Sequence, residues 1–218
     1  MIKINNLCLN DKNMVDKREN ARIEAFSDGV FAIAMTLLIL EIKVPELDSV
    51  HSINDLWHQL ANLWPSYFAF ILSFSVILVS WVNHHYLFDM IDKSSRSFIY
   101  ANGFLLLTIT FMPFPAAVLA KYLGTDYAQP AIAFYCFGGI VNSLSWTLLI
   151  HTIYKPILLV EVEANIKLVQ KLKQYTSFGV LIYIFTTVMA FWFPIIALVI
   201  NLMTWILWIS TSLTKKIA

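Results

Sequence analysis

The run Arg22-Ile-Glu-Ala-Phe26-Ser27-Asp28 stands at the mouth of an apolar stretch, Gly29-Val-Phe-Ala-Ile33-Ala-Met-Thr36-Leu37-Leu-Ile-Leu40. A carboxylate near the centre of a membrane helix costs roughly 2.5–3.5 kcal/mol, and less toward its ends. Asp28 therefore calls for a partner: Arg22, Ser27, or a polar group on another helix. The chemistry on offer is the holding of a charge. A second cluster, Asn83-His84-His85 with Asp89 and Asp92, could suggest a metal site. Adjacent histidines on a helix point about 100° apart and rarely share an ion, whereas His85 and Asp89, four residues apart, could. A hydrogen-bond network is the better expectation for these histidines, and no bound metal is expected.

What positions these groups is a set of membrane helices. Of the 218 residues, 59% are hydrophobic and 13% charged, with a mean hydropathy of +0.69. Soluble domains carry about 25% charged residues. The chain reads as an all-α integral membrane protein whose immediate partner is the lipid bilayer. A net charge of +1 gives no reason to expect a nucleic-acid partner. No cleavable signal peptide is evident in the polar leader. Cys8 and Cys136, one before the first span and one inside a span, are not expected to pair.

Crossing the hydrocarbon core takes about 20 mostly apolar residues. Six stretches qualify, at 24–43, 63–87, 98–120, 130–154, 175–192 and 195–213. The stretch from Tyr175 to Leu213 is too long for one crossing, and Pro194 is its natural break. Met112-Pro-Phe-Pro115 should kink the third span, and a short helix is expected near Asn54–Asn62. Thirteen of the 15 Lys and Arg fall before span 1, between spans 2 and 3, between spans 4 and 5, or after span 6. Lys43 and Lys121 alone fall in the alternate loops, so both termini should be cytoplasmic. The expected organisation is a cytoplasmic segment 1–21, a six-helix transmembrane domain 22–214, and a cytoplasmic tail 215–218. The first segment is expected to be disordered or a short surface helix. Trp57, Trp64, Trp81, Trp192, Trp205 and Trp208 would anchor the helices at the membrane interfaces. Asn142, Ser143, Ser145 and Thr147 in span 4 would join helices.

On the first helix, Ile33, Leu37 and Leu40 fall on one narrow stripe, which Arg22 and Phe26 extend. About 70–80° around the helix, Ala25, Gly29, Ala32 and Thr36 form a face of small residues that lets backbones approach closely. Asp28 points away from the bulky stripe, into the surrounding protein. From periodicity alone, such a stripe most often meets lipid or a neighbouring helix.

The pattern Arg22-x-x-x-Phe26-Ser27-Asp28 leading into the first of six apolar helices resembles the signature of the transmembrane protein 175 family, potassium channels of endolysosomes and bacteria. Its four fixed residue types would occur by chance in on the order of one in a thousand chains of this length. The likeness continues through Gly29-Val-Phe-Ala-Ile33 to Leu40-Glu41-Ile42. With one motif and about six spans, the chain resembles the bacterial form. The resemblance implies a homotetramer around a central pore lined by the first helix, in the bacterial inner membrane. It implies potassium as the permeant ion, modest selectivity over sodium and no cofactor. Ile33, Leu37 and Leu40 would form stacked constrictions, and Thr36 a layer that acts in ion selection. Arg22, Phe26, Ser27 and Asp28 would brace the pore helices, with His84 or His85 as a further brace for Asp28. No Thr-Val-Gly-Tyr-Gly filter is present, so an apolar neck must strip part of the ion's water.

Two other classes compete. A secondary transporter of a cation or small solute would call for inverted repeats and paired broken helices around a midplane site, and neither is evident. An enzyme is not expected: no Gly-rich phosphate loop, Gly-x-Ser-x-Gly or His-Glu-x-x-His supports one.

Overall fold

Prolines and serines set where the helices of this chain begin. Pro65 sits in the first turn of its helix, and Pro113 and Pro194 open theirs. There the missing N–H costs nothing and the fixed φ is already helical. Ser52 and Ser95 cap two more, their hydroxyls accepting from the N–H groups of Asp55 and Phe98. The computed structural model describes residues 2–91, 94–154 and 163–214, and the side chains within 19–91, 94–153 and 169–209. Among them run α1 (Ile2–Leu37), α2 (Ile53–Asn62), α3 (Trp64–Phe88), α4 (Arg96–Phe111), α5 (Pro113–Tyr122), α6 (Ala128–Tyr154), α7 (Glu163–Met189) and α8 (Pro194–Thr214). Short 3₁₀ turns follow α1 at Leu38–Glu41 and precede α2 at Leu47–Ser49. No strand occurs among the described residues.

The stretches Glu19–Glu41, Trp64–Phe88, Arg96–Tyr122 and Ala128–Ile153 are long and apolar enough to cross a membrane. Pro194–Ile209 is a shorter apolar helix. α7 and α8 pack on each other, separated at Ala190–Phe193 just before Pro194. α4 and α5 meet at Met112, where Pro113 cannot extend the helix behind it. Two helices exceed their apolar runs. α7 begins at Glu163 rather than near Tyr175, its polar first half docked through buried Val169 and half-buried Leu172. α1 is 36 residues long and passes residue 21 without a break, since neither Pro nor Gly occurs before Gly29. The tail 215–218 and Asp92 lie outside the described residues.

α1 lies on α3 and α4, α6 contacts α4, α5, α7 and α8, and α8 closes the bundle against α3 and α7. The α6–α7 contact is tight at Gly139, where a Cβ would lie 2.7 Å from the ring of Tyr183. Small residues allow such approaches within membrane bundles. Polar joints reinforce the packing. Asn142 donates to the Thr108 hydroxyl at 3.1 Å, Ser145 lies 3.3 Å from that same oxygen, and Ser143 donates to the Thr176 carbonyl at 3.2 Å. Thr147 departs from the expectation and bonds its own helix at the Ser143 carbonyl. Trp205 is buried and donates to Asn201 at 3.1 Å, so it works inside the bundle. Cys136 is a buried free thiol, and the Cys8 side chain lies outside the described ones.

Candidate functional site

α1 has two unlike faces. Toward the bundle it buries Asn20, Ser27, Phe31, Ala34 and Leu38. These positions recur at the three- and four-residue steps of one helix face. Away from the bundle it exposes Arg22, Ala25, Phe26, Gly29, Ala32, Ile33, Thr36, Leu37 and Leu40. Phe26 is 67%, Ile33 59%, Leu37 40% and Leu40 60% exposed. A Cβ on Gly29 would meet nothing within 4 Å. The small-residue face therefore lies exposed, packed on nothing among the described residues. It adjoins the bulky stripe on the same uncovered side.

The helix tightens at its end. Leu37 closes the α-helix and Leu38–Glu41 is 3₁₀, whose three residues per turn eclipse positions three apart. Leu40 consequently stands directly over Leu37. Thr36 donates its hydroxyl hydrogen to the Ile33 carbonyl at 2.9 Å, which leaves the oxygen lone pairs on the exposed side.

The motif splits between the two faces. Ser27 and Asp28 turn into the bundle, whereas Arg22 and Phe26 stay exposed, and Arg22 makes no ion pair among the described residues. Asp28 Oδ1 accepts the Trp81 indole N–H at 2.8 Å. Neither histidine takes that place, contrary to the expectation, because both rings turn elsewhere. His84 is fully buried between the rings of Phe31 and Phe88, at 5.3 and 4.6 Å. Its Nε2 lies 2.8 Å from the Asn102 oxygen. The Asn102 amide nitrogen donates to Ser27 Oγ at 2.9 Å, and Ser27 donates to the Ile23 carbonyl at 2.8 Å. With its amide nitrogen committed to Ser27, Asn102 presents its oxygen to the imidazole N–H. A chain of donors thus runs from α3 through α4 into α1. His85 Nδ1 lies 2.9 Å from Glu24 Oε1, on the exposed side, and its ring stacks beside Trp81. Asn20 donates to the Ile91 carbonyl at 3.2 Å and accepts from the Ser94 hydroxyl, tying α1 to the α3–α4 connection. No group of three metal-ligating side chains occurs among the described residues.

Sequence reasoning missed Trp81, Asn102, Asn20 and Glu24. Trp81 looked like an interfacial anchor. Asn102 carried a usable signal, since an amide inside an apolar span needs a partner, but nothing in the sequence names which one.

A family model described as endosomal/lysosomal potassium channel TMEM175 matches residues 22–113, a range that begins at Arg22 and ends at the α4–α5 break. A protein of Chamaesiphon minutus, named as a potassium channel, is 52% identical over 120 residues, which is 55% of this chain and 59% of that one. The chain thus spans little more than half the length of that relative. A Chryseobacterium protein, also named as a potassium channel, is 34% identical over 193 residues, 86% of this chain and 91% of its own. In three dimensions the chain resembles the crystal structure of a lysosomal potassium-selective channel TMEM175 homolog from Chamaesiphon minutus. The TM-score is 0.81 at 36% identity, over 90% of this chain and 99% of that one.

Proposed function

We propose that this chain, which belongs to the TMEM175 family, assembles as a homotetramer whose α1 helices line a potassium-permeable pore. The observation that carries the proposal is the uncovered face of α1. It is apolar through Ile33, Leu37 and Leu40 and small at Ala25, Gly29 and Ala32, while its opposite face is held by three hydrogen-bonded tethers to α3 and α4. A helix fixed on one side and bare on the other suits a wall that meets its own copies. The small residues allow the close approach that four helices around an axis require, and the bulky ones then face that axis.

The neck works by dehydration. Ile33 is the tightest ring, with Leu37 and Leu40 stacked beyond it. Potassium sheds water more cheaply than sodium, so an apolar neck passes it preferentially without chelating it, and selectivity is modest. The Thr36 oxygens, their hydrogens engaged by Ile33 carbonyls, offer acceptors beside the neck. An apolar constriction also gates by dewetting. Ser27 and Asp28 set the rotation of α1, and Arg22 and Phe26 meet the neighbouring subunit. The protein acts in the inner membrane with both termini cytoplasmic, in keeping with the lysine and arginine distribution, and without cofactor or enzymatic activity.

Flux through liposomes carrying the purified protein tests this reading, under a potassium gradient and then a sodium gradient. Passive flux that prefers potassium is expected, and Ile33→Asn should raise the rate and narrow the preference. Unchanged rate and selectivity in Ile33→Asn would refute the neck.

A further inference from the structure

Behind α3, on the side opposite α1, lies a cavity of about 220 Å³ between α3, α6, α7 and α8. Its walls are aromatic: Tyr86, Trp146, Tyr183, Trp205 and Trp208 line it, with Tyr175 at an exposed edge. Its polar groups are few. Asn142 and Ser143 already bond Thr108 and the Thr176 carbonyl. Asp89 is the single charged residue on the lining, and it pairs with no cation among the described residues. It caps the C-terminal end of α3, where unpaired carbonyls add negative potential. Lys173 on α7 lines a separate open depression with Gln170 and Gln174.

Size and chemistry together define the occupant. A dry cavity of about 150 Å³ holds benzene, so this one accommodates a single ring with a short substituent. Aromatic faces attract cations, most strongly away from water. A carboxylate at the rim fixes the cationic end. We propose that this cavity is a binding site for a compact organic ammonium ion, its apolar body among Trp146, Trp205 and Trp208 and its charged end at Asp89. Val79, Asn83 and Leu87 line the cavity, whereas Trp81 on the opposite face and His84 on the flank of the same helix hold α1. An occupant bears on the element that sets the position of α1 and so modulates flux. The binding site itself does not depend on the channel reading.

Phenethylammonium is the probe, and the protein is the full chain in detergent. Binding is read from the intrinsic tryptophan fluorescence, since three tryptophans line the site. Saturable quenching is expected. Ser80→Phe and Ser143→Phe, which fill the cavity, should abolish it. Asp89→Asn, at an exposed position that leaves the fold intact, should weaken phenethylammonium about tenfold while sparing neutral ethylbenzene. Absence of saturable quenching up to millimolar probe overturns the proposal. So does quenching that survives both filling substitutions, which would place the probe elsewhere, in a pore for example. Equal binding of ethylbenzene and phenethylammonium, indifferent to Asp89→Asn, would overturn the ammonium assignment in favour of an apolar chain such as a lipid tail. Probe-dependent flux is measured separately in liposomes, so a silent channel with intact quenching refutes the modulation and leaves the site standing.

Discussion

The tether between Trp81 and Asp28 is one of the hydrogen bonds that hold α1, and Trp81→Phe isolates it. The phenylalanine keeps an aromatic body beside His85 but removes the indole donor that lies 2.8 Å from Asp28 Oδ1. A hydrogen bond to a charged group contributes about 1.5–3 kcal/mol. Within membrane bundles measured couplings are smaller, about 0.6 kcal/mol on average with a maximum near 1.7, because the unfolded chain also finds partners. Asp28 is half-buried and retains no second hydrogen bond from another helix among the described residues, which places the loss in the upper part of that range. Trp81→Phe should therefore cost about 1–1.7 kcal/mol. Asp28→Asn keeps an acceptor oxygen, loses the charge, and should cost about 0.5–1 kcal/mol. The double variant should fall short of the sum by about 1 kcal/mol, the signature of a shared interaction. Unfolding of the purified protein in mixed detergent micelles, followed by circular dichroism across a denaturing-detergent series, gives all four corners of the cycle. Additive losses, or a Trp81→Phe protein as stable as the parent, would refute the tether as an energetic link. The hydrogen bond would then be geometry without consequence.

Four further outcomes rest on other contacts. Asn102→Leu breaks the donor chain at its centre and leaves the buried His84 N–H without an acceptor, which should cost about 1–3 kcal/mol, measured in the same unfolding series; Ser27→Ala, which orphans only one Asn102 hydrogen, should cost less. Gly139→Ala would place a methyl 2.7 Å from the Tyr183 ring and should destabilise the bundle by about 1–3 kcal/mol, a loss that Tyr183→Leu relieves. Gly29→Ala meets nothing among the described residues, so the isolated chain should gain about 0.4–1 kcal/mol from helix propensity, and any loss should appear only in the assembled state by size-exclusion chromatography with light scattering. Glu24→Gln alters the contact with His85 Nδ1 at 2.9 Å and should change stability by about 0.2–1 kcal/mol, read in the same detergent series.

What the sequence makes legible here is phase and punctuation. The exposed stripe of α1 follows from the three- and four-residue spacing of Ile33, Leu37 and Leu40, and the breaks at Pro113 and Pro194 follow from a missing backbone donor. Asp28 needs a partner on desolvation grounds alone, and the structure supplies one. The identity of that partner is a different kind of information. Trp81 lies 53 residues away along the chain, and the Asn102–Ser27 contact spans 75. Helical periodicity says which side of a helix is polar but not which helix lies against it. Trp81 reads as an interfacial anchor because tryptophan has an apolar body and one donor, a description that fits a membrane surface and a buried carboxylate equally. The small-residue stripe of α1 is legible in the same partial way: spacing announces a close contact without naming the partner, and no element among the described residues provides it.

The length of α1 gives its tethers a mechanical meaning. At 1.5 Å per residue the helix is about 54 Å long, well beyond a hydrocarbon core of about 30 Å. Its polar attachments are gathered between Asn20 and Asp28, while Phe31, Ala34 and Leu38 pack the next turns on the bundle, so that segment serves as a fulcrum only when this packing gives with it. One arm, toward Ile2, is about 33 Å long, and the other, from Glu24 to Ile33, about 14 Å. Displacing the far end sideways by about 2 Å tilts the rod enough to shift Ile33 by slightly under 1 Å in the opposite sense. In the proposed tetramer, that movement would change the free diameter at Ile33 by more than about 1 Å. In the proposed channel, the long arm would trade a large motion near Ile2 for a small one at Ile33.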